Sequence, residues 1–100
     1  MAFIQIIECR TSKVDELQAM DGEWEHATEG KRTLRRSILT QDRNDPDRYL
    51  VLAFFESYES AMENSQLPET RAFAERYNAL LDSPMVFHDL DVLEDRSLTE

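Results

Sequence analysis

Six consecutive apolar residues, Leu50-Val51-Leu52-Ala53-Phe54-Phe55, constrain this chain more than any other feature. With Tyr49 they read as a strand. The polar stretch before them, Asp42-Arg43-Asn44-Asp45-Pro46-Asp47, holds several turn formers and predicts the bend of a hairpin. Side chains of a strand alternate between its two faces, so this run presents hydrophobic groups on both. Something must cover each face.

The rest of the chain supplies the cover for one of them. Ala2–Arg10, rich in β-branched residues, predicts a first strand. Thr11-Ser12 offers a helix N-cap, with Asp15 three residues after Ser12. Val14, Leu17, Met20, Trp24 and Ala27 then recur at helical spacing, while Asp15, Glu16, Glu23 and Glu25 lie off that stripe. Gly30 suits the residue beyond the helix end, where positive φ is needed. Thr33–Gln41 alternates as a strand, with Leu34, Arg36, Ile38 and Thr40 on one face. Ser57 predicts the cap of a second helix whose Tyr58, Ala61, Met62 and Ser65 share a face. Pro68 is costly inside a helix and cheap at its first position, so a break at Gln66-Leu67 and a fresh helix from Pro68 are expected. Phe73, Tyr77 and Leu80 form the stripe of that helix. Met85–Leu93 predicts a last strand with Val86, His88, Leu90 and Val92 on one face, and a polar tail, expected to fray, follows from Glu94.

The order strand, helix, strand, strand, helix, strand, with right-handed crossovers, predicts an α+β, ferredoxin-like βαββαβ domain over residues 1–100, a four-stranded antiparallel sheet with its helices on one face. A monomer would leave the other face bare, an apolar patch larger than soluble monomers usually expose. A second copy packed face to face by two-fold symmetry is the economical cover, so a homodimer is expected. Charge narrows the partners further. Eleven Lys+Arg oppose 21 Asp+Glu, a formal net charge of −10, which argues against nucleic acid and anionic membrane as partners. The single Cys9 excludes an internal disulfide and a Cys-rich zinc site. No window approaches the ~18 apolar residues of a spanning helix, and Met1–Gln5 lacks the basic-then-apolar pattern of a secretion signal. A cytoplasmic protein is expected.

With this element order, the segment Phe54-Phe55-Glu56-Ser57-Tyr58-Glu59-Ser60-Ala61, then Asn64 to Phe73, and the closing Phe87-His88-Asp89-Leu90-Asp91-Val92, the chain resembles the antibiotic-biosynthesis-monooxygenase-type domains of the dimeric α/β-barrel superfamily. The resemblance spans Ala2 to about Leu93. It implies a substrate held between sheet and helices, met by a few polar groups, and chemistry without a cofactor. Haem-degrading relatives resemble one another in an Asn on the first strand, a Trp in the second helical region and a downstream His. Here the first strand has no Asn, the only Trp is Trp24, and the place four residues after Phe73 is Tyr77, so haem degradation is disfavoured.

The candidate residues each have a plainer reading. Trp24 is either core or a pocket wall that stacks on a planar substrate. Tyr77 is either a core tyrosine or a donor to a substrate carbonyl. His88 is either a satisfied, half-buried side chain or a general base near neutral pH. Asn64 is either a local cap or a group that orients a carbonyl or dioxygen. Arg35 and Arg36 point to opposite faces of the second strand; Arg36 is the candidate for an anionic substrate group, with pairing to Asp89 or Asp91 as the alternative. His26 lies off the apolar stripe and is expected in solvent. Asp89 and Asp91 share a face as a solvated edge. Asp42 to Asp47 lacks the glycine and distal glutamate of a calcium loop. No metal site is expected.

The leading reading is therefore a cofactor-independent, monooxygenase-like protein that binds a planar aromatic or polyketide-type molecule, with His88 and Tyr77 as catalytic candidates and Trp24, Asn64 and Arg36 as binding candidates. The alternatives are a non-catalytic binding or regulatory dimer, and an isomerase- or decarboxylase-type enzyme using His88 as its base.

Overall fold

A computed structural model of the chain describes residues 1–99. The elements run β1 (Phe3–Arg10), α1 (Val14–Ala27), β2 (Arg36–Gln41), β3 (Arg48–Phe55), α2 (Tyr58–Gln66), α3 (Pro68–Asn78) and β4 (Val86–Asp91). One antiparallel sheet has the order β2-β3-β1-β4, which is the ferredoxin-like α+β arrangement expected from the sequence.

Local chemistry fixes most boundaries. The Ser57 hydroxyl accepts from the Ser60 N–H at 3.0 Å and starts α2. Leu67 is extended, with φ −60° and ψ 135°, and Pro68 takes the first position of α3, so the predicted break is where proline requires it. The hairpin turn is held from both sides: Arg10 makes two bonds to the Asp45 carboxylate, at 2.7 and 3.0 Å, and Arg48 donates to Asp42 at 2.8 Å.

The starts of α1 and β2 and the inward face of α2 differ from the sequence reading. Ser12 does not cap α1. The helix starts at Val14 without a side-chain cap, and the Lys13 N–H bonds instead to the Thr11 hydroxyl, which itself donates to the Leu80 carbonyl. Thr11 is fully buried, so this hydroxyl fastens the start of α1 to the chain beyond α3. The second strand begins at Arg36 rather than Thr33. The Thr33 N–H is taken by Asn64 Oδ1 at 3.1 Å and its hydroxyl by the Ser60 carbonyl at 2.6 Å, which straps this stretch to α2. On α2 the buried pair is Ala61 and Asn64, so the inward face is turned toward Asn64 and away from Ser65.

The buried side chains form two separate groups. At one end of the sheet, Cys9, Leu17, Met20, Tyr49 and Tyr77 join β1, α1, β3 and α3. At the other, Phe3, Ala53 and Phe55 pack with Ala61 of α2. Phe3, Cys9, Tyr49, Ala53 and Phe55 mark the helix-covered face. By strand alternation, Ile4, Ile6, Leu50, Leu52 and Phe54 lie on the other face, where register adds Ile38, His88 and Leu90. Among the described residues, no helix covers that face. No helix of the chain, among the described residues, is long and apolar enough to cross a membrane.

Candidate functional site

Between the two core groups the sheet and helices stand apart. Along β1 and β3 the middle pairs are Gln5 with Ala53 and Ile7 with Val51, and above them lies an open cavity of about 790 Å³. Its floor adds Ser37 and Leu39 from β2. Its roof is Trp24 from α1, Asn64 from α2, and Thr70, Phe73 and Tyr77 from α3. The volume lies within the range of small-molecule sites. The space between sheet and helices is therefore open, not filled by side chains.

One wall is aromatic. The rings of Trp24 and Phe73 are 6.0 Å apart between centres, and those of Phe73 and Tyr77 are 5.2 Å apart. The indole N–H of Trp24 donates to the Thr70 hydroxyl at 3.0 Å, which satisfies the indole's polar atom and sets the ring on the wall. Phe87 of β4, 52 % exposed, also lines the cavity. Flat aromatic surfaces suit a planar ligand.

Polar groups enter this wall at three points. Tyr77 is only 5 % exposed; burial, with Cys9 and Asp21 beside it, pushes its phenol well above the ordinary range. It keeps its proton near neutral pH, so its hydroxyl can donate a hydrogen bond. Asn64 is 6 % exposed. Its Oδ1 is occupied by the Thr33 N–H, and its amide N–H₂ has no partner among the described residues. The third group is Asp21. It lines the cavity from α1, has no ion pair or hydrogen bond among the described residues, and burial pushes its carboxyl up to about 6. A half-buried carboxylate without a cation can change protonation near neutral pH.

Of the five candidates read from sequence, Trp24, Asn64 and Tyr77 meet in this cavity. The other two are elsewhere. His88 pairs with Ile6 across β1 and alternates with Phe87, so it lies on the uncovered face. There its Nε2 stands 3.4 Å from Glu8, which accepts from Arg48 Nε at 3.0 Å. Arg48, then His88, holds the Glu8 carboxyl below its usual range. The backbone of β2 brings Arg36 to the cavity's border, but its guanidinium lies 5.6 Å from the centre of the Phe54 ring, on the uncovered face. Arg36 cannot pair with Asp89 or Asp91, because β2 and β4 are opposite edges of the sheet. Asp89 instead accepts from Gln5 Nε2 at 2.9 Å. Among the described residues no three His, Cys, Asp or Glu side chains converge.

Sequence reasoning passed over Asp21 and put Arg36 ahead of Arg35. Both signals were present. Asp21 falls between Leu17 and Val14 on the helical wheel, inside the apolar stripe. Arg35 shares its alternation with Leu39, which packs against the core.

No family model matches the chain, and no curated protein matches it by sequence. Its fold does match solved structures. A protein from Caulobacter crescentus, named provisionally as an antibiotic biosynthesis monooxygenase, superposes with a TM-score of 0.79 at 14 % identity, over 93 % of this chain and 91 % of that one. Proteins given the same provisional name superpose from Deinococcus radiodurans, with a TM-score of 0.75 at 11 % identity over the whole of both chains, and from Chloroflexus aurantiacus, with 0.69 at 19 % identity over 99 % of this chain and 100 % of that one. The likeness extends over nearly the full length, and it is a likeness of fold.

Proposed function

We propose that this chain binds a planar aromatic or polyketide-type molecule in the cavity between sheet and helices and oxygenates it without a cofactor. The observation that carries the proposal is the unpartnered Asp21 carboxylate beside an aromatic wall in an open cavity. A fold shared with proteins provisionally named monooxygenases supports the reaction class only by analogy.

The chemistry follows from what the wall offers. A ring CH₂ activated by carbonyl and aromatic groups is acidic enough to lose a proton to a positioned base whose pKa lies near the ambient pH. Asp21 takes that proton. The delocalised carbanion passes one electron to dioxygen, and the two radicals join as a peroxide anion on carbon. The peroxide takes the proton back from Asp21. Loss of the remaining carbon-bound hydrogen with cleavage of the O–O bond then expels water and leaves C=O. The sum is CH₂ + O₂ → C=O + H₂O. Tyr77 and the Asn64 amide donate hydrogen bonds to the substrate carbonyl as it gains enolate charge. Trp24, Phe73 and Phe87 hold the rings and limit water.

The non-catalytic binder remains the second reading, because the same wall binds a planar ligand whether or not it reacts. Oxygen uptake with an anthrone, beside quenching of Trp24 fluorescence by the same compound, separates the two. Uptake that is lost in Asp21→Asn supports the oxygenase; quenching without uptake supports the binder. His88, on the uncovered face, offers no base to this cavity, so its placement lends nothing to an isomerase reading.

The uncovered face is assigned to a second copy of the chain. Ile4, Ile6, Ile38, Leu52, Phe54 and Leu90 cross all four strands on that side, and a continuous apolar sheet face is unfavourable in water. Two-fold pairing would cover it with an equal surface.

A further inference from the structure

We infer that the ligand of this cavity carries a carboxylate, received at the cavity mouth by Arg32, Arg35 and Arg71. This rests on the reading of the cavity as a site for planar aromatics, and it names the feature of the ligand that orients it there.

The chain has nearly two acids for every base, so its cations have ample carboxylates to meet. Most elsewhere do. Arg10 bonds Asp45 at 2.7 Å, Lys31 bonds Glu69 at 2.7 Å, Arg76 bonds Glu23 at 2.9 Å, and Arg48 bridges Glu8 and Asp42. Arg35 and Arg71 make no ion pair and no side-chain hydrogen bond among the described residues, although both line the cavity. Arg32 lines it too. Its Nη1 donates to the Glu25 carbonyl at 2.6 Å, which anchors the guanidinium and leaves its other N–H groups available.

Arg32 and Arg35 come from the connection between α1 and β2, and Arg71 comes from α3. The acids on the same lining are Glu25 and Asp21, and Asp21 belongs to the wall beside Tyr77. The lining thus carries more positive than negative groups in a protein of net charge −10. Planar guanidinium groups match the two oxygens of a carboxylate. A local positive field on an acidic protein also favours the approach of an anion to this opening. Arg36 is left out, since its guanidinium lies over Phe54 on the far face.

Trp24 is the only tryptophan and forms the cavity wall, so its fluorescence reports occupancy. The test titrates the protein with naphthoate and with the neutral, nearly isosteric naphthamide. Naphthoate is expected to bind about tenfold tighter at low salt, the scale of one charge-assisted contact. The preference is expected to shrink as salt is added and to vanish in the Arg32→Gln/Arg35→Gln/Arg71→Gln triple variant, with naphthamide affinity unchanged. Unchanged naphthamide binding also shows that the variant is folded. Equal affinity for the two probes overturns the inference while the cavity reading stands. A preference that survives the triple substitution overturns it as well. If neither probe quenches Trp24, the cavity reading fails and the inference falls with it.

Discussion

The Trp24 indole N–H and the Thr70 hydroxyl are 3.0 Å apart, and this bond joins α1 to α3 across the roof of the cavity. It links the packing of two helices to the attitude of the ring that a planar ligand would meet. Thr70→Val keeps the side chain's shape and removes the acceptor. The loss is expected to destabilise the fold by about 1 kcal/mol, or about 4–8 °C in Tm for a domain of this size. Thermal unfolding followed by circular dichroism checks it, and a shift in the Trp24 emission maximum should accompany the change.

Asp21 couples stability to pH. Burial raises its carboxyl from 3.8 to about 6, so the native state holds the proton more tightly than the unfolded chain does. The stabilising contribution is complete below about pH 3.8 and is lost as pH rises through about 6. Above that, the native state carries a half-buried carboxylate without a cation. Asp21→Asn is therefore expected to raise Tm at pH 7.5 and to leave it almost unchanged at pH 3.5. Thermal melts of both proteins across this range measure the difference, and a Tm gain that is independent of pH would contradict the assignment.

Asn64 fastens the loop before β2 to α2. In Asn64→Ala the Thr33 N–H loses its acceptor in a part-buried position, with an expected cost of about 1–3 kcal/mol. Urea unfolding gives this value directly. Hydrogen exchange at Thr33 should accelerate more than exchange in the middle of β3, since the strap is local.

A charge in the centre of the uncovered face should split a dimer. Leu52 pairs with Ile6 on one side and Ile38 on the other, so Leu52→Asp would bury an unpaired carboxylate at the proposed contact. Light scattering after size exclusion is expected to give two chains per particle for the native protein and one for the variant. A native protein with one chain per particle at micromolar concentration removes the dimer.

The sheet and its helices were legible because each element carried its own period. Leu50–Phe55 is apolar at every position, so as a strand it presents hydrophobic groups on both faces, and Pro68 marks where one helix must stop and another start. The site was legible in part. Trp24 and Tyr77 lie on the apolar stripes read from helical spacing, whereas Asn64 lay outside the face read for α2 and the structure turns it inward. His88 and Arg36 could not be assigned to a face from the sequence. On β4, Phe87 and His88 both alternate with apolar neighbours, and only pairing with β1 decides which side meets the helices. The Thr11 hydroxyl at the start of α1 was equally hidden, because its second partner, the Leu80 carbonyl, lies 69 residues away.

In the proposed reaction Asp21 deprotonates a planar substrate held under Trp24 and Tyr77. The most direct measurement is oxygen uptake with an anthrone as a function of pH, on the native protein and on Asp21→Asn. The expected result is one O₂ consumed per anthrone and a rate that rises with pH through a midpoint near 6. In Asp21→Asn the rate falls by about 10²-fold or more, while the compound still quenches Trp24. Uptake at the uncatalysed rate, or a rate and pH profile untouched by Asp21→Asn, would contradict it.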